Sequence, residues 1–143
     1  MELQPAEAEV VSLEAAAFAR ALPDAAARSR YERLASEAAI GAIPEELVAP
    51  LEAMLQLVFE TGRPINRAVL QAVYARTPRG KSQATATRDV NRALEALRGQ
   101  TLTELRVASA GPSAQTLTIE TDRVRVQVEF DRHGAHITSL EGG

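Results

Sequence analysis

The sequence predicts an α+β fold in which helices come first and antiparallel strands follow. Up to Gly99, apolar residues recur at three- and four-residue spacing, as on one face of an amphipathic helix. After Gly99, apolar and polar residues alternate, which is typical of strands with one buried face. The chain has 143 residues, of which 45% are hydrophobic and 24% charged, so we expect a packed core.

Three helices are expected before Gly62. Pro23 ends the first helix, and Asp24 is a suitable N-cap for the second, which stops at Gly41. The segment Pro44-Glu45-Glu46 opens the third helix, because acidic side chains are favourable at the positive end of the helix dipole. Pro50 lies inside this third helix, and we expect it to kink the helix or restart it one turn later.

A fourth helix is predicted from about Arg67 to Arg76. Asn66 is its expected N-cap. Ile65 and Leu70 flank this cap at the spacing of a hydrophobic staple.

A fifth helix is predicted to begin at Ser82, as its N-cap, and to end at about Arg98. The preceding Thr77-Pro78-Arg79-Gly80 is predicted to be a turn, because proline interrupts a helix and glycine permits positive φ. Two helices joined by so short a turn form a helix-turn-helix.

The remainder of the chain predicts an antiparallel meander. Turn residues at Gly111-Pro112, Thr121-Asp122 and Arg132-His133-Gly134 separate the alternating runs, and a last strand is expected over 135–140. Its apolar face must pack on the helices.

We therefore predict three regions. Residues 1–43 form an acidic helical segment, residues 44–109 a winged helix-turn-helix, and residues 110–143 strands that extend the wing.

Charge is distributed unevenly along the chain. The net charge is −3, yet residues 61–100 carry eight basic and two acidic side chains, whereas residues 1–60 carry four basic and eleven acidic ones. This asymmetry indicates a local anion-binding surface in the middle of the chain.

A helical wheel separates the fifth helix into two sides. The apolar side, which we expect to meet the two preceding helices, contains Ala86, Val90, Ala93, Leu94 and Leu97. The opposite side carries Thr85, Arg88 and Arg92, with Asn91 beside them, a residue set that contacts phosphates and base edges in DNA major grooves.

The segment Ser82-Gln83-Ala84-Thr85-Ala86-Thr87-Arg88-Asp89-Val90 resembles the recognition helix of arginine repressors. It is also similar to the Ala-Thr…Arg-Asp-Leu pattern of DeoR-type winged helices. The resemblance covers about residues 50–100 and implies DNA contacts by Gln83, Thr87 and Arg88. The C-terminal region is too short for an arginine-binding hexamerisation domain, so neither arginine sensing nor a hexamer is expected.

The leading hypothesis is a cytoplasmic protein, most simply a transcriptional regulator, that places residues 82–98 in the major groove of double-stranded DNA. Free amides in the turn 82–85 would favour a phosphate. The expected phosphate contacts are Arg79, Lys81 and Ser82, joined by Arg63 and Arg67 if they face the same way; the residues expected near bases are Gln83, Thr85, Thr87, Arg88, Asn91 and Arg92. Because one recognition helix reads few base pairs, we expect a homodimer formed by the N-terminal helices or the sheet edge.

Two alternatives remain open for the arginine-bearing side. It could be an ordinary solvated helix surface. The domain could instead be a winged-helix adaptor or inhibitor that binds a protein, with the acidic N-terminal helices as a second contact or as an intramolecular mimic of DNA.

Other classes are disfavoured by the sequence. The chain has no cysteine, and His133 and His136 lack an apparent third ligand, so we expect no metal site. The segment Thr77–Ser82 lacks the first glycine of a P-loop, since Ala75 stands there. We predict no catalytic residue, no cofactor, no secretory signal and no membrane helix.

Overall fold

The computed structural model describes residues 1–142 and confirms an α+β chain of five helices followed by a four-stranded antiparallel sheet. The elements are α1 (Pro5–Ala21), α2 (Ala25–Ala39), α3 (Glu45–Thr61), α4 (Arg67–Ala75), α5 (Pro78–Glu95), β1 (Leu102–Gly111), β2 (Ala114–Thr121), β3 (Val124–Asp131) and β4 (Gly134–Gly142). Among the described residues, no helix combines the length and apolar character needed to cross a membrane.

The chain divides into two compact units, with the boundary between Thr77 and Pro78. The first unit contains α1 to α4, and the second contains α5 and the whole sheet. This division falls inside the range 44–109 that was predicted to form one winged helix-turn-helix, and it assigns α4 and α5 to different units.

The helices of the first unit begin and end largely where their capping residues, prolines and glycines predict. The Asp24 carboxylate accepts a hydrogen bond from the amide of Ala27 at 2.7 Å, which caps α2. Gly41 follows this helix with φ of 87°, a conformation that favours glycine. Helix α3 continues through Pro50 without a restart.

One apolar core fills the first unit. The largest side chains that are fully buried here are Leu34, Ile43, Leu51, Met54, Leu55 and Leu70. The two tyrosines are partly buried against this core, and each makes an edge-to-face contact with a phenylalanine: Phe18 with Tyr31, and Phe59 with Tyr74.

The predicted hydrophobic staple is wrong. Ile65 is 100% exposed, although Leu70 is buried as expected. Asn66 occupies the N-cap position of α4, but its side chain makes no capping hydrogen bond within residues 1–142. The physical reason is the backbone, since Asn66 has φ of −100° and ψ of 43° rather than the extended conformation in which a side chain caps and a staple closes.

The predicted start of α5 is also wrong. The helix begins at Pro78, four residues before the expected cap Ser82. Proline is favourable in the first turn of a helix because its missing N–H would have no intrahelical partner there. Pro78, Arg79 and Gly80, which were expected to lie in a turn, therefore form the first turn of α5, and Thr77 precedes the helix. The turn residues after α5 end at Gly99, which has φ of 73°.

The second unit has its own small core between α5 and the sheet. Val90 of α5, with Leu94 and Leu97, packs against Val126 and Val128. The helix lies mainly on β4 and to a lesser extent on β3. The expectation that this apolar side meets the two preceding helices is therefore corrected: the strands of the same unit offer it a continuous apolar surface.

The sheet is a simple meander in the order β1-β2-β3-β4. Its register places two rows of apolar residues on one face: Leu105, Ile119, Val126 and Leu140 in one row, and Val107, Leu117, Val128 and Ile137 in the other. Val126 and Val128 are buried, whereas every residue of β1 is exposed. Only part of the predicted apolar face is thus covered by a helix of this unit.

Candidate nucleic-acid interface

The exposed side of α5 carries four residues at a spacing that brings them onto one line along the helix. They are Lys81, Thr85, Arg88 and Arg92, here called the basic ridge. All four are exposed, and the Arg92 side chain keeps 81% of its accessible surface. Val90 lies on the opposite side, buried against the sheet, so the packing of α5 turns the ridge toward solvent.

Thr85 connects the ridge internally. Its hydroxyl donates a hydrogen bond to the carbonyl oxygen of Lys81 at 3.1 Å and accepts one from Nη2 of Arg88 at 3.2 Å. This contact restrains the Arg88 side chain along the helix. A guanidinium has five N–H donors, so Arg88 retains the capacity to bind a phosphate while it contacts Thr85.

The carboxylate of Asp89 lies beside the ridge. Oδ1 of Asp89 is 4.0 Å from Nη1 of Arg92, and both side chains are well exposed. An exposed ion pair at this separation contributes little free energy, so an anionic ligand can compete for Arg92.

Several predicted contact residues flank the ridge in exposed positions. Ser82, Thr87 and Asn91 are all accessible to solvent on α5. Ser82 lies in the second turn of the helix, so the expected phosphate site on the free amides of 82–85 is wrong. The first turn of α5 instead begins at Pro78 and contains Arg79.

Gln83 occupies a different environment from the ridge. Gln83 is half-buried against Gly134, the first residue of β4, and a Cβ on that glycine would lie 3.4 Å from Cγ of Gln83. Gln83 therefore contributes to packing within the second unit. Its position seven residues before Val90, two helical turns away on the same side, is a sequence signal for this role.

The two remaining predicted residues, Arg63 and Arg67, belong to the first unit. Both are exposed, and the Arg67 guanidinium lies over the ring of Phe59 at 5.4 Å from its centroid. The second unit carries nine basic and eight acidic side chains, the first unit seven and eleven. The more favourable charge balance for an anion is thus in the unit that carries the ridge.

One exposed feature was not predicted from the sequence. Leu105 and Val107 were expected to be covered, yet they are 61% and 63% exposed on β1. The alternation of β1 gives the face on which they lie, but it contains no signal for how far α5 extends across that face.

Comparison with known proteins adds nothing to this geometry: no family model, no curated protein and no solved structure matches the chain.

Proposed function

We propose that this protein binds double-stranded DNA through the basic ridge of α5. The observation that carries the proposal is the exposure of Lys81, Arg88 and Arg92 on the side of α5 opposite Val90. Cationic side chains that neutralise phosphates supply most of the affinity of proteins for DNA.

The dimensions of the ridge suit a groove. An α-helix is about 10–12 Å in diameter with its side chains, and the major groove is about 12 Å wide. At 1.5 Å per residue, Lys81 and Arg92 are separated by roughly 16 Å along the helix axis. The ridge can therefore contact phosphates at both ends, while Thr85 and Asn91 between them provide hydrogen-bonding groups for base edges.

The resemblance of residues 82–90 to arginine-repressor and DeoR-type helices supports the same assignment at one residue and disfavours it at another. Arg88, implied by the resemblance to contact DNA, is exposed on the ridge. Gln83, implied to do the same, packs against Gly134. The proposal rests on the exposed ridge and does not require a winged-helix arrangement; a role in transcription follows only if binding depends on DNA sequence.

The test is DNA binding by a charge-reversed ridge. The variant Arg88→Glu with Arg92→Glu is compared with Arg20→Glu and Arg30→Glu, two exposed arginines of the first unit, so both variants change net charge equally. Fluorescence anisotropy of a labelled duplex is measured between about 50 and 200 mM salt, the range over which counterion release gives a steep dependence.

The ridge variant should lose binding, and replacing the same two arginines by alanine should reduce the slope of log K against log salt by about 2. The control variant should bind within a few-fold of the wild type. Equal binding by the ridge variant and the wild type contradicts the proposal, provided that both keep the same thermal transition by circular dichroism.

A further inference from the structure

The edge strand β1 is long and unprotected. All ten of its residues are exposed, and its irregularities lie at the two ends, between Leu102 and Glu104 and between Ser109 and Gly111. The segment between them is regular. Edge strands are usually shielded by charged side chains, especially lysine, by proline or by a central bulge, because their outer N–H and C=O groups are a template for another strand. The two charges of the regular segment, Glu104 and Arg106, are of opposite sign and pair with each other. The regular segment of β1 has neither lysine nor proline.

The apolar face of the sheet extends to this edge. Helix α5 lies on β4 and β3, so Val126 and Val128 are buried, while Leu117 and Ile119 of β2 are only half-buried. Leu105, directly opposite Ile119, is exposed. A strand added to β1 would continue both the hydrogen-bonded ladder and this apolar face.

The charges of β1 indicate which strand fits. Glu104 lies directly opposite Glu120 of β2, and like charges in that position destabilise a sheet. Arg106 is on the same face, with its Nε 3.7 Å from Oε1 of Glu104. Arg125 of β3 lies directly opposite Glu120 on its other side, and a cation placed beyond Glu104, on the outer side of the edge, would balance Glu104 in the same way.

We propose that β1 pairs with β1 of a second copy of this chain, antiparallel and centred on Leu105. In this register Glu104 of each copy lies opposite Arg106 of the other, so two ion pairs form by symmetry. The two copies of Leu105 face each other on the apolar face. The two sheets join into one of eight strands.

Neighbouring registers are less favourable. Centring the pair on Arg106 places two arginines opposite each other. The intermediate register, in which Leu105 lies opposite Arg106, joins the apolar face of one copy to the polar face of the other, because side chains alternate along a strand. Centring on Val107 keeps the faces matched but forms no ion pair.

The inference is independent of the proposed DNA binding, since it uses β1 and leaves the basic ridge untouched. Loss of DNA binding in the ridge variant would not alter the oligomeric state, and a monomeric protein could still bind DNA.

The first experiment measures dimerisation of the full chain by sedimentation velocity over a range of concentrations. Glu104→Arg replaces two attractive pairs by two repulsive ones and should weaken the dimer by about thirtyfold. Inside the chain it places a cation opposite Glu120, so it should not impair folding. The exchange Glu104→Arg with Arg106→Glu should restore the dimer, and Glu129→Arg, on β3, should leave it unchanged.

The second experiment tests the register by disulfide formation. Only the introduced cysteine can react, because the chain has no cysteine of its own. Leu105→Cys places two thiols directly opposite each other and should give a covalent dimer under mild oxidation. Val107→Cys places its Cα atoms roughly 14 Å apart in the proposed register, too far for a disulfide.

A chain that remains monomeric at every concentration overturns the inference. So does a dimer that is indifferent to Glu104→Arg, since packing of the apolar faces on each other would give that result. Cross-linking through Val107→Cys but not Leu105→Cys overturns the proposed register.

Discussion

Replacing Pro50 by alanine should stabilise the protein, because α3 runs through this proline as a continuous helix. Pro50 is the sixth residue after the N-cap Pro44, so an amide at this position would donate to the carbonyl oxygen of Glu46. Proline costs about 3 kcal/mol relative to alanine in a helix interior. That difference is measured between helix and unfolded chain, so it already contains the greater freedom of unfolded alanine. Loss of the contacts of the half-buried Pro50 ring offsets about 1 kcal/mol of the gain, so the net stabilisation is roughly 2 kcal/mol.

Urea unfolding followed by far-ultraviolet circular dichroism measures this gain. With a slope of about 2 kcal/mol per molar urea, the midpoint should rise by about 1 M. Pro44→Ala is the matched control: this proline is the N-cap of the same helix, so its replacement restores no interior hydrogen bond and should lower stability by less than about 1 kcal/mol. An unchanged or lower midpoint for Pro50→Ala would refute the reasoning and assign the half-buried Pro50 ring a packing role that outweighs the lost hydrogen bond.

Three further predictions concern the core, a turn and an ion pair. Leu51→Ala, at a fully buried position, should lower the free energy of unfolding by about 2–5 kcal/mol, whereas Leu13→Ala, at a position that is 65% exposed, should change it by less than about 0.5 kcal/mol in the same denaturation assay. The Thr121 hydroxyl accepts a hydrogen bond from the amide of Val124 at 2.9 Å, so Thr121→Val should cost about 1–3 kcal/mol while Thr121→Ser retains most of the stability. The pKa of Glu46 is held below its ordinary value by a backbone hydrogen bond at the start of α3 and by Arg33, so its contribution to stability is present above the unfolded pKa and is lost as the pH falls through the folded pKa. Carboxyl NMR titration of Arg33→Ala should therefore show the Glu46 pKa moving up toward its ordinary value, and no movement would contradict the role of Arg33.

Local signals in the sequence were sufficient for most elements. The change of apolar spacing at Gly99 separates the helical part from the sheet, because helices and strands bury side chains at different periods. Asp24 caps α2 as predicted, since a cap depends only on residues within one turn. The turn residues near 111, 121 and 133 divide the strands correctly.

The sequence was less informative about the features that depend on tertiary contacts. Pro78 was interpreted as a helix breaker although proline is equally suited to a first turn, and only the position of the helix separates the two roles. Val90 was correctly placed on the buried side of its helix, but the pattern does not name the partner of that side, which is the sheet. The exposure of Leu105 depends on how far α5 extends over the strands, a distance that no local spacing encodes.

Helix α5, which opens the second unit, packs chiefly on β4, the strand that closes it. During synthesis on the ribosome, this helix can therefore complete its packing only after the final strand has emerged. Until then α5 has only its smaller contact with β3, through Val126 and Val128, and the part of its apolar side that β4 covers stays accessible on the nascent chain. Each hairpin of the sheet can meanwhile form as soon as its second strand has been made. A chain released before β4 should thus present a hydrophobic helix to chaperones and proteases.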